Sequence, residues 1–534
     1  MQPTVKHIVA AVWLVVTIGA GVARAADADL RLVQASADQD RDAVRALLSQ
    51  KVDVNAARAD GVTALLWAAH WNDLEMADLL IRARADVNAA NDYGVTALAH
   101  ASENASEAMV AKLIAAGANP NAPQKSGLTP LMIASRTGNV NVVKALVAHG
   151  ANVNAATGQA NASALMWALA AGHSEISRVL IEAGADARTS TTKGFTPLMF
   201  AARNGDIPLA RVLMAKGANV NELASDGTHV LPFAILAGQD QFAVFLLQEG
   251  ADPGGRIDGI AALHVAAGSV GTWLGDWSRR RGGGSLGGVI YGGRLDAERR
   301  LVLVQALLKH GADPNVRITT SAMFMNYVGY PKKGAFETYA CGTGDLRGAT
   351  PLWVAAYSAN GSSSAQNFGQ SNRPDTSVDV LRSLIAAGAS LHLGTDDGTT
   401  PLMVAAGLGR STFTPRVPRG VRAPAAEEAV KLLVETGANV NAVNEADFTA
   451  LHGAAFRGLN EVVQYLVEHG ADIDARDFRG RTAYRLAEGA KQSFQFQDWP
   501  ETAALLKQLG ADTRLGIPGM VQERARNLAA EAQQ

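Results

Sequence analysis

The residues of this chain that could do chemistry are mostly arginines and aromatics, gathered in a few places. Arg279, Arg280 and Arg281 follow Trp273 and Trp277, and Arg410, Arg416, Arg419 and Arg422 succeed one another with no acid between them. Guanidinium groups at that density attract anions, and loops rich in arginine and aromatics have the composition of interaction hot spots. Constellations for covalent or metal catalysis are missing: there is no His-Glu-x-x-His, no Cys-x-x-Cys and no Cys-x-x-Cys-His. The only cysteine, Cys341, has no histidine near it in sequence, so an incidental or partner-linking thiol is expected rather than a catalytic one. The run Gly282 to Gly288 looks like a phosphate cradle but lacks the Gly-Lys-Ser/Thr ending, so it reads as a loop. His149, His310 and His469 recur before a glycine, where a helix C-terminus accounts for them better than a metal does. No catalytic residue, cofactor or metal is expected.

What must position these side chains is a repeat. Ala85, Ala118, Ala151, Ala185, Ala218 and Ala251 fall 33, 33, 34, 33 and 33 residues apart. A second landmark, Thr-Pro-Leu or a variant, keeps the same interval around Leu98, Leu131, Leu165, Leu198 and Leu231. Self-similarity at this period means stacked helical units rather than a globular enzyme core. In residues 194–221, Thr196 is a natural N-cap and Pro197 suits the first helical position. Gly205 ends that helix, Ile207 to Ala215 form a second, and Gly217 is its left-handed stop. One helix pair cannot bury both faces, so neighbouring copies must cover them.

These residues resemble the ankyrin repeat, with its Thr-Pro-Leu-His-x-Ala-Ala signature and Gly-Ala-Asp-Val-Asn ending. Gly398 to Ala406, Gly437 to Asn441 and Leu451 to Ala455 carry the fullest matches, the last with the family histidine at His452. Twelve units are counted, with first-helix leucines or equivalents at 32, 65, 98, 131, 165, 198, 231, 263, 352, 402, 451 and 484. The first, Asp29 to Asn55, reads as an N-terminal cap. The expected fold is therefore an all-α ankyrin solenoid over residues 26–515, followed by a helical tail at 516–534. Most units replace the family histidine with Met, Leu or Trp, which is expected to cost a local hydrogen bond. At ~8–10 Å per helix layer the stack would be on the order of 100 Å long. The resemblance implies a concave face lined by first helices and hairpin tips, and binding of something protein-sized.

The period fails after Ala251, and the excess residues fall between the two helices of their repeats at 268–295, 358–376, 407–425 and 489–500. Such loops emerge on one edge of a stack. Either they meet as a docking surface, or their aromatics tuck against the stack. A fifth insertion, 316–348, carries Tyr327 and Tyr330 before Pro331 and reads as a long hairpin arm that reaches a partner or shields the array. On the concave face, the residues just after each Ala-Ala pair include His70, Trp71, Glu103, Asn104, Arg136, Arg203, Asn204, Phe456 and Arg457. Hairpin tips add Tyr93, Lys193, Phe195, Phe478 and Arg479, and Trp71 beside Tyr93 is the expected concave anchor. Trp67, Trp167, Phe200 and Phe233 share a position that the family pattern makes a core site.

Residues 1–25 read as a secretory signal peptide: Lys6 precedes an apolar run from Ile8 to Ala20, and Ala23-Arg24-Ala25 offers a cleavage site. Its removal leaves 46 basic against 50 acidic side chains, a net charge of −4 that excludes a typical nucleic-acid binder. No further segment is long and apolar enough to span a bilayer. Export with one cysteine, and a composition rich in Ala, Gly and Arg, point to a bacterial envelope protein, most simply periplasmic. The function expected is a non-catalytic scaffold for a protein partner. The alternatives are an anionic glycan or lipid head group held by the arginine-rich insertions, and an enzyme site built among them.

Overall fold

The computed structural model of the chain describes residues 29–275, 277, 295–321, 345–359, 376–409, 423–492 and 495–516. Among them run 24 α-helices in twelve consecutive pairs, from Arg31–Ala37 with Arg41–Ser49 to Ala483–Glu488 with Pro500–Gln508. The pairs are numbered here as repeats 1 to 12. They fall into two compact units, residues 1–152 with repeats 1–4 and residues 153–534 with repeats 5–12. The repeat spacing carries no signal for this division.

In the N-terminal unit each first helix starts where the sequence asks it to. The hydroxyls of Thr63, Thr96 and Thr129 accept the amide three residues on at 3.2–3.4 Å, and Pro130 opens its helix. Second helices start on Asp40, Asp73, Ser106 and Asn139, whose side chains accept amide protons in the first turn. They stop at left-handed residues such as Gly117, φ +91°. Gly61 is needed for a second reason: a Cβ there would lie 3.0 Å from the Asn91 Cα. Leu65, Leu98 and Leu131 of the first helices, and Leu80, Leu113 and Leu146 of the second, are at most 1% exposed. Burying a leucine contributes about 1.5–3 kcal/mol, so these positions hold the stack together. An asparagine ladder joins the repeats on their loop side. Asn88 donates Nδ2–H to the Gly117 carbonyl at 3.1 Å and accepts the Asn119 amide at 2.7 Å; Asn121 does the same with Gly150 and Asn152 at 2.9 and 2.7 Å.

The C-terminal unit uses the same devices. Thr196, Thr400, Thr449 and Thr482 cap first helices, and Asn154, Asn221, Asn315 and Asn441 continue the ladder to the carbonyls of Gly184, Gly250, Gly388 and Gly470. The ladder lapses where Arg188, Gly254 and His392 replace the asparagine. First-helix leucines are buried except at the last repeat, where Tyr484 takes the position and is half-exposed.

His452 is fully buried. Its Nδ1 accepts the Thr449 amide at 3.1 Å while Nε2–H donates to the Arg481 carbonyl at 3.2 Å, tying repeat 11 to repeat 12. His264, in repeat 8, does the same between the Ala261 amide and the Ala349 carbonyl at 3.2 and 3.0 Å. Trp353 corrects one expectation. It replaces the histidine in repeat 9, yet its indole N–H reaches the Thr399 carbonyl at 3.0 Å, so the inter-repeat bond survives.

The insertions depart from the plain unit in several ways. The second helix of repeat 8 runs Ala297–Lys309, 13 residues, and that of repeat 10 begins at Pro424, inside the expected insertion. Strands Ala490–Gln492 and Gln495–Gln497 pair antiparallel, so the last insertion is a hairpin. The base of the 316–348 arm is paired: Ile318 donates to Ala349 and Gly348 to Ile318, at 3.0 and 2.9 Å. Most of the arm, including Tyr327 and Tyr330, lies outside the described residues, as do Arg279–Arg281, Arg416, Arg419, Arg422, Cys341, the signal segment and most of the tail.

Candidate docking surface

In the N-terminal unit, the first helices of repeats 2 and 3 (Ala64–His70 and Ala97–Glu103) bring an aromatic cluster to the surface. Trp71 closes the first of them, 43% exposed, with its ring stacked on Trp67 at 6.0 Å and 16°. Its indole N–H donates to the Ala37 carbonyl of repeat 1 at 3.1 Å, so an exposed aromatic plane is held in one orientation. His70 meets Trp71 edge-on at 4.7 Å and His100 at 5.2 Å. Desolvation, aided by the neighbouring His70, pulls His100 down to about 4, so the His100 ring is uncharged at neutral pH. Tyr93, at the hairpin tip before the left-handed Gly94, is 62% exposed. Arg136 is exposed and lies 3.8 Å from Glu103, a pair worth little in solvent.

In the C-terminal unit the equivalent face is largely covered by the protein itself. Trp277 is 1% exposed: its ring lies 6.4 Å from Phe233 and its N–H donates to the Thr228 hydroxyl at 3.0 Å. Trp273 is also buried, 5.8 Å from Tyr357 and 6.5 Å from Trp353. Neither tryptophan is a docking anchor; the described start of the first insertion, residues 268–275 and 277, packs on repeats 7 and 9 and puts both in the core. Arg300 secures this. The first helix of repeat 8 ends at Ala267, and the guanidinium takes the carbonyls of Val265, Ala266 and Gly268 at 2.9–3.0 Å, groups a helix end leaves unpaired.

Two more expected contact residues are interior. Phe195 is 4% exposed and packs on Phe200 and Phe233, both at 5.8 Å. It follows the turn glycine Gly194, so its side chain points between repeats, whereas Tyr93 precedes its glycine and points out. Phe456 is buried where the last insertion returns: Trp499 donates to the Phe456 carbonyl at 2.9 Å and lies so close to Gly458 that a Cβ there would be 2.7 Å from its ring. Arg457 beside it is half-buried. Arg203 is half-buried as well. Its guanidinium lies over the Phe200 ring at 5.2 Å and donates to the Ala170 carbonyl at 2.8 Å. At the remaining tips, Phe478 is exposed with Arg479 over its ring at 5.2 Å.

His149, His310 and His469 each place Nδ1 2.7–2.8 Å from the carbonyl four residues back, the structural use expected of them. Among the described residues no group of three or more His, Cys, Asp or Glu could hold a metal, and no helix is long and apolar enough to cross a membrane. Sequence reasoning missed His264, although Ala262-Leu263-His264 shows the family pattern plainly. It also missed Arg300, for which no local signal exists.

Paired helices stacked on a leucine core, with capped starts and an asparagine ladder, define a repeat protein with exposed first-helix ends at Trp71 and Arg136. The family of ankyrin repeats (3 copies) matches residues 32–124, 102–191, 184–257 and 371–477, more than half of the chain. The chain belongs to the ankyrin repeat family. It is similar to human ankyrin repeat and SOCS box protein 16, 33% identical over 138 residues, which cover 26% of this chain and 27% of the relative. It also resembles a probable E3 ubiquitin-protein ligase, XBOS34, of Oryza sativa subsp. japonica, 38% identical over 97 residues covering 18% and 16%. Against neurogenic locus notch homolog protein 1 of Danio rerio, identity is 31% over 178 residues, 33% of this chain and 6% of the relative. The chain thus spans about a quarter or less of these relatives.

Proposed function

We propose that this chain is a non-catalytic scaffold of the bacterial cell envelope that docks a protein partner on the first-helix face of its N-terminal repeats. Ankyrin repeats support protein–protein interaction in general; the observation that carries the specific reading is Trp71. The residue is 43% exposed, yet stacking on Trp67 and the bond to Ala37 fix its ring. An aromatic already held in place loses little conformational freedom on binding, which favours it as an anchor. Tyr93 extends the same kind of surface at a hairpin tip.

The experiment is affinity capture from an envelope extract, followed by titration of the purified partner against the Trp71→Ala chain. Truncation is expected to weaken binding by ~2 kcal/mol, about 30-fold, with unchanged helical content. Equal affinity of the two chains would remove Trp71 from the interface. The envelope location rests on residues 1–25, and the N-terminal sequence of the mature protein should begin at Ala26.

A second reading is favoured by Arg410, Arg416, Arg419 and Arg422, which have no acid between them: the insertions hold an acidic glycan or lipid head group. Such binding would weaken steeply with salt, whereas aromatic docking on Trp71 would not.

A further inference from the structure

Repeats 5 and 6 of the C-terminal unit differ from those that follow them. Trp277 packs on Phe233 of repeat 7 and Trp273 on Trp353 and Tyr357 of repeat 9, whereas Ala170 and Ala171 in repeat 5 are exposed. Arg203 rises between them and the half-buried Leu236. Among the described residues its partners are the Ala170 carbonyl at 2.8 Å, the Asn204 side-chain oxygen at 3.4 Å and the face of Phe200. None is a carboxylate.

This sets Arg203 apart from its counterpart in repeat 4, Arg136, which has Glu103 within 3.8 Å. A half-buried guanidinium with no carboxylate beside it among the described residues carries an electrostatic cost, and desolvation pulls Arg203 below the usual arginine range. The Phe200 ring holds the plane of the group, Nη2 stays on Ala170, and no described residue meets Nη1. That geometry suits a carboxylate, which meets a planar guanidinium through paired N–H donors. The floor on either side, Ala170 and Ala171 against Leu236, carries no charge of either sign and little bulk. Such a floor favours apolar residues beside the acid.

We infer that Arg203, with Phe200 and the alanines of repeat 5, receives a glutamate or aspartate from an extended apolar–acidic segment of a protein partner. This rests on the scaffold reading above and names the chemistry the second unit selects.

The test is selection of a random, C-terminally amidated 12-residue peptide library on the full chain. The strongest binder is then titrated in four combinations: peptide with Glu or Gln, chain with Arg203 or Arg203→Gln. The expected result is acid enrichment in the selected pool and a loss of about 10-fold when Glu is changed to Gln on the parent chain. The same peptide change is expected to make no difference on Arg203→Gln. Arg203→Lys, which keeps charge and fold but loses the fork, should fall between them. Acid enrichment that persists on Arg203→Gln, or a selected pool indifferent to acid, overturns the inference while leaving the scaffold reading intact. Failure of the parent chain to select any peptide overturns the inference and leaves Trp71 capture to judge the scaffold reading separately. A parallel loss of urea stability in Arg203→Gln would be separated from binding by the Lys variant.

Discussion

Acid should loosen repeat 8 through one histidine. His264 is fully buried and works only as the neutral ring: Nδ1 must accept the Ala261 amide while Nε2–H donates to the Ala349 carbonyl. Burial, with Arg256 nearby, brings its pKa down to about 4 from the ordinary 6.5. The unfolded chain therefore binds this proton more readily than the folded one. The histidine's contribution is complete above pH 6.5, is lost as pH falls from 6.5 towards 4, and changes no further below that. The loss amounts to about 2 kcal/mol at pH 5 and about 3 at pH 4. His264→Met, the residue that repeats 4–6 use here, should cost about 1–2 kcal/mol at pH 7 through the lost bonds. It should also flatten the fall between pH 7 and 5 by about 2 kcal/mol. His229 and His452, also pushed down by burial, remain in both chains, so the difference isolates His264. Urea unfolding at the two pH values, with amide exchange at Ala261, reads it out. Equal losses in parent and variant would refute the reasoning.

Three further outcomes follow from the packing. Trp277→Ala should destabilise repeats 7–9 by about 3–5 kcal/mol, seen as faster amide exchange around Thr228; a change under 1 kcal/mol would return the insertion to the solvent. Trp353→Phe should cost about 0.5–1.5 kcal/mol by removing the indole bond to the Thr399 carbonyl, which keeps the Thr395 amide, and Trp353→His should recover part of it, both measured by urea midpoint. Asn121→Ala should lose about 1 kcal/mol and deprotect the Asn152 amide specifically, checked by hydrogen exchange.

The repeat core was legible because its signals are local and periodic. Thr-Pro-Leu writes an N-cap, a first helical residue and a core leucine in three adjacent letters, and Gly-Ala-Asn-Val-Asn writes a helix stop and a ladder rung. Leu65, Leu98 and Leu131 could hardly be anywhere but inside. The candidate surface was less legible, since an exposed aromatic and a buried one have the same composition. Tyr93 and Phe195 differ only by standing before or after a left-handed glycine, and that single step turns the side chain from solvent to core.

The insertions show where a finer reading was available. At the place that holds His70, Glu103, Arg136 and Arg203, repeats 7, 8 and 9 carry Leu236, Gly268 and Tyr357. An apolar or absent side chain there leaves apolar surface that water would penalise, so something must cover it. The cover is the insertion that starts at Gly268, with Trp273 meeting Tyr357 and Trp277 meeting Phe233. Gly268 has no room for a Cβ, which would lie 2.2 Å from the Ser358 hydroxyl, so the chain can turn across repeat 9 only at a glycine. The helix ends of repeats 2–6, polar at His70, Glu103, Arg136 and Arg203 and small at Ala170, thus stay uncovered, whereas in repeats 7–9 the apolar or bare ends coincide with the protein's own cover. Arg203, the last polar residue of that series before the covered repeats, stands at the boundary, where a partner's acid has the most to gain.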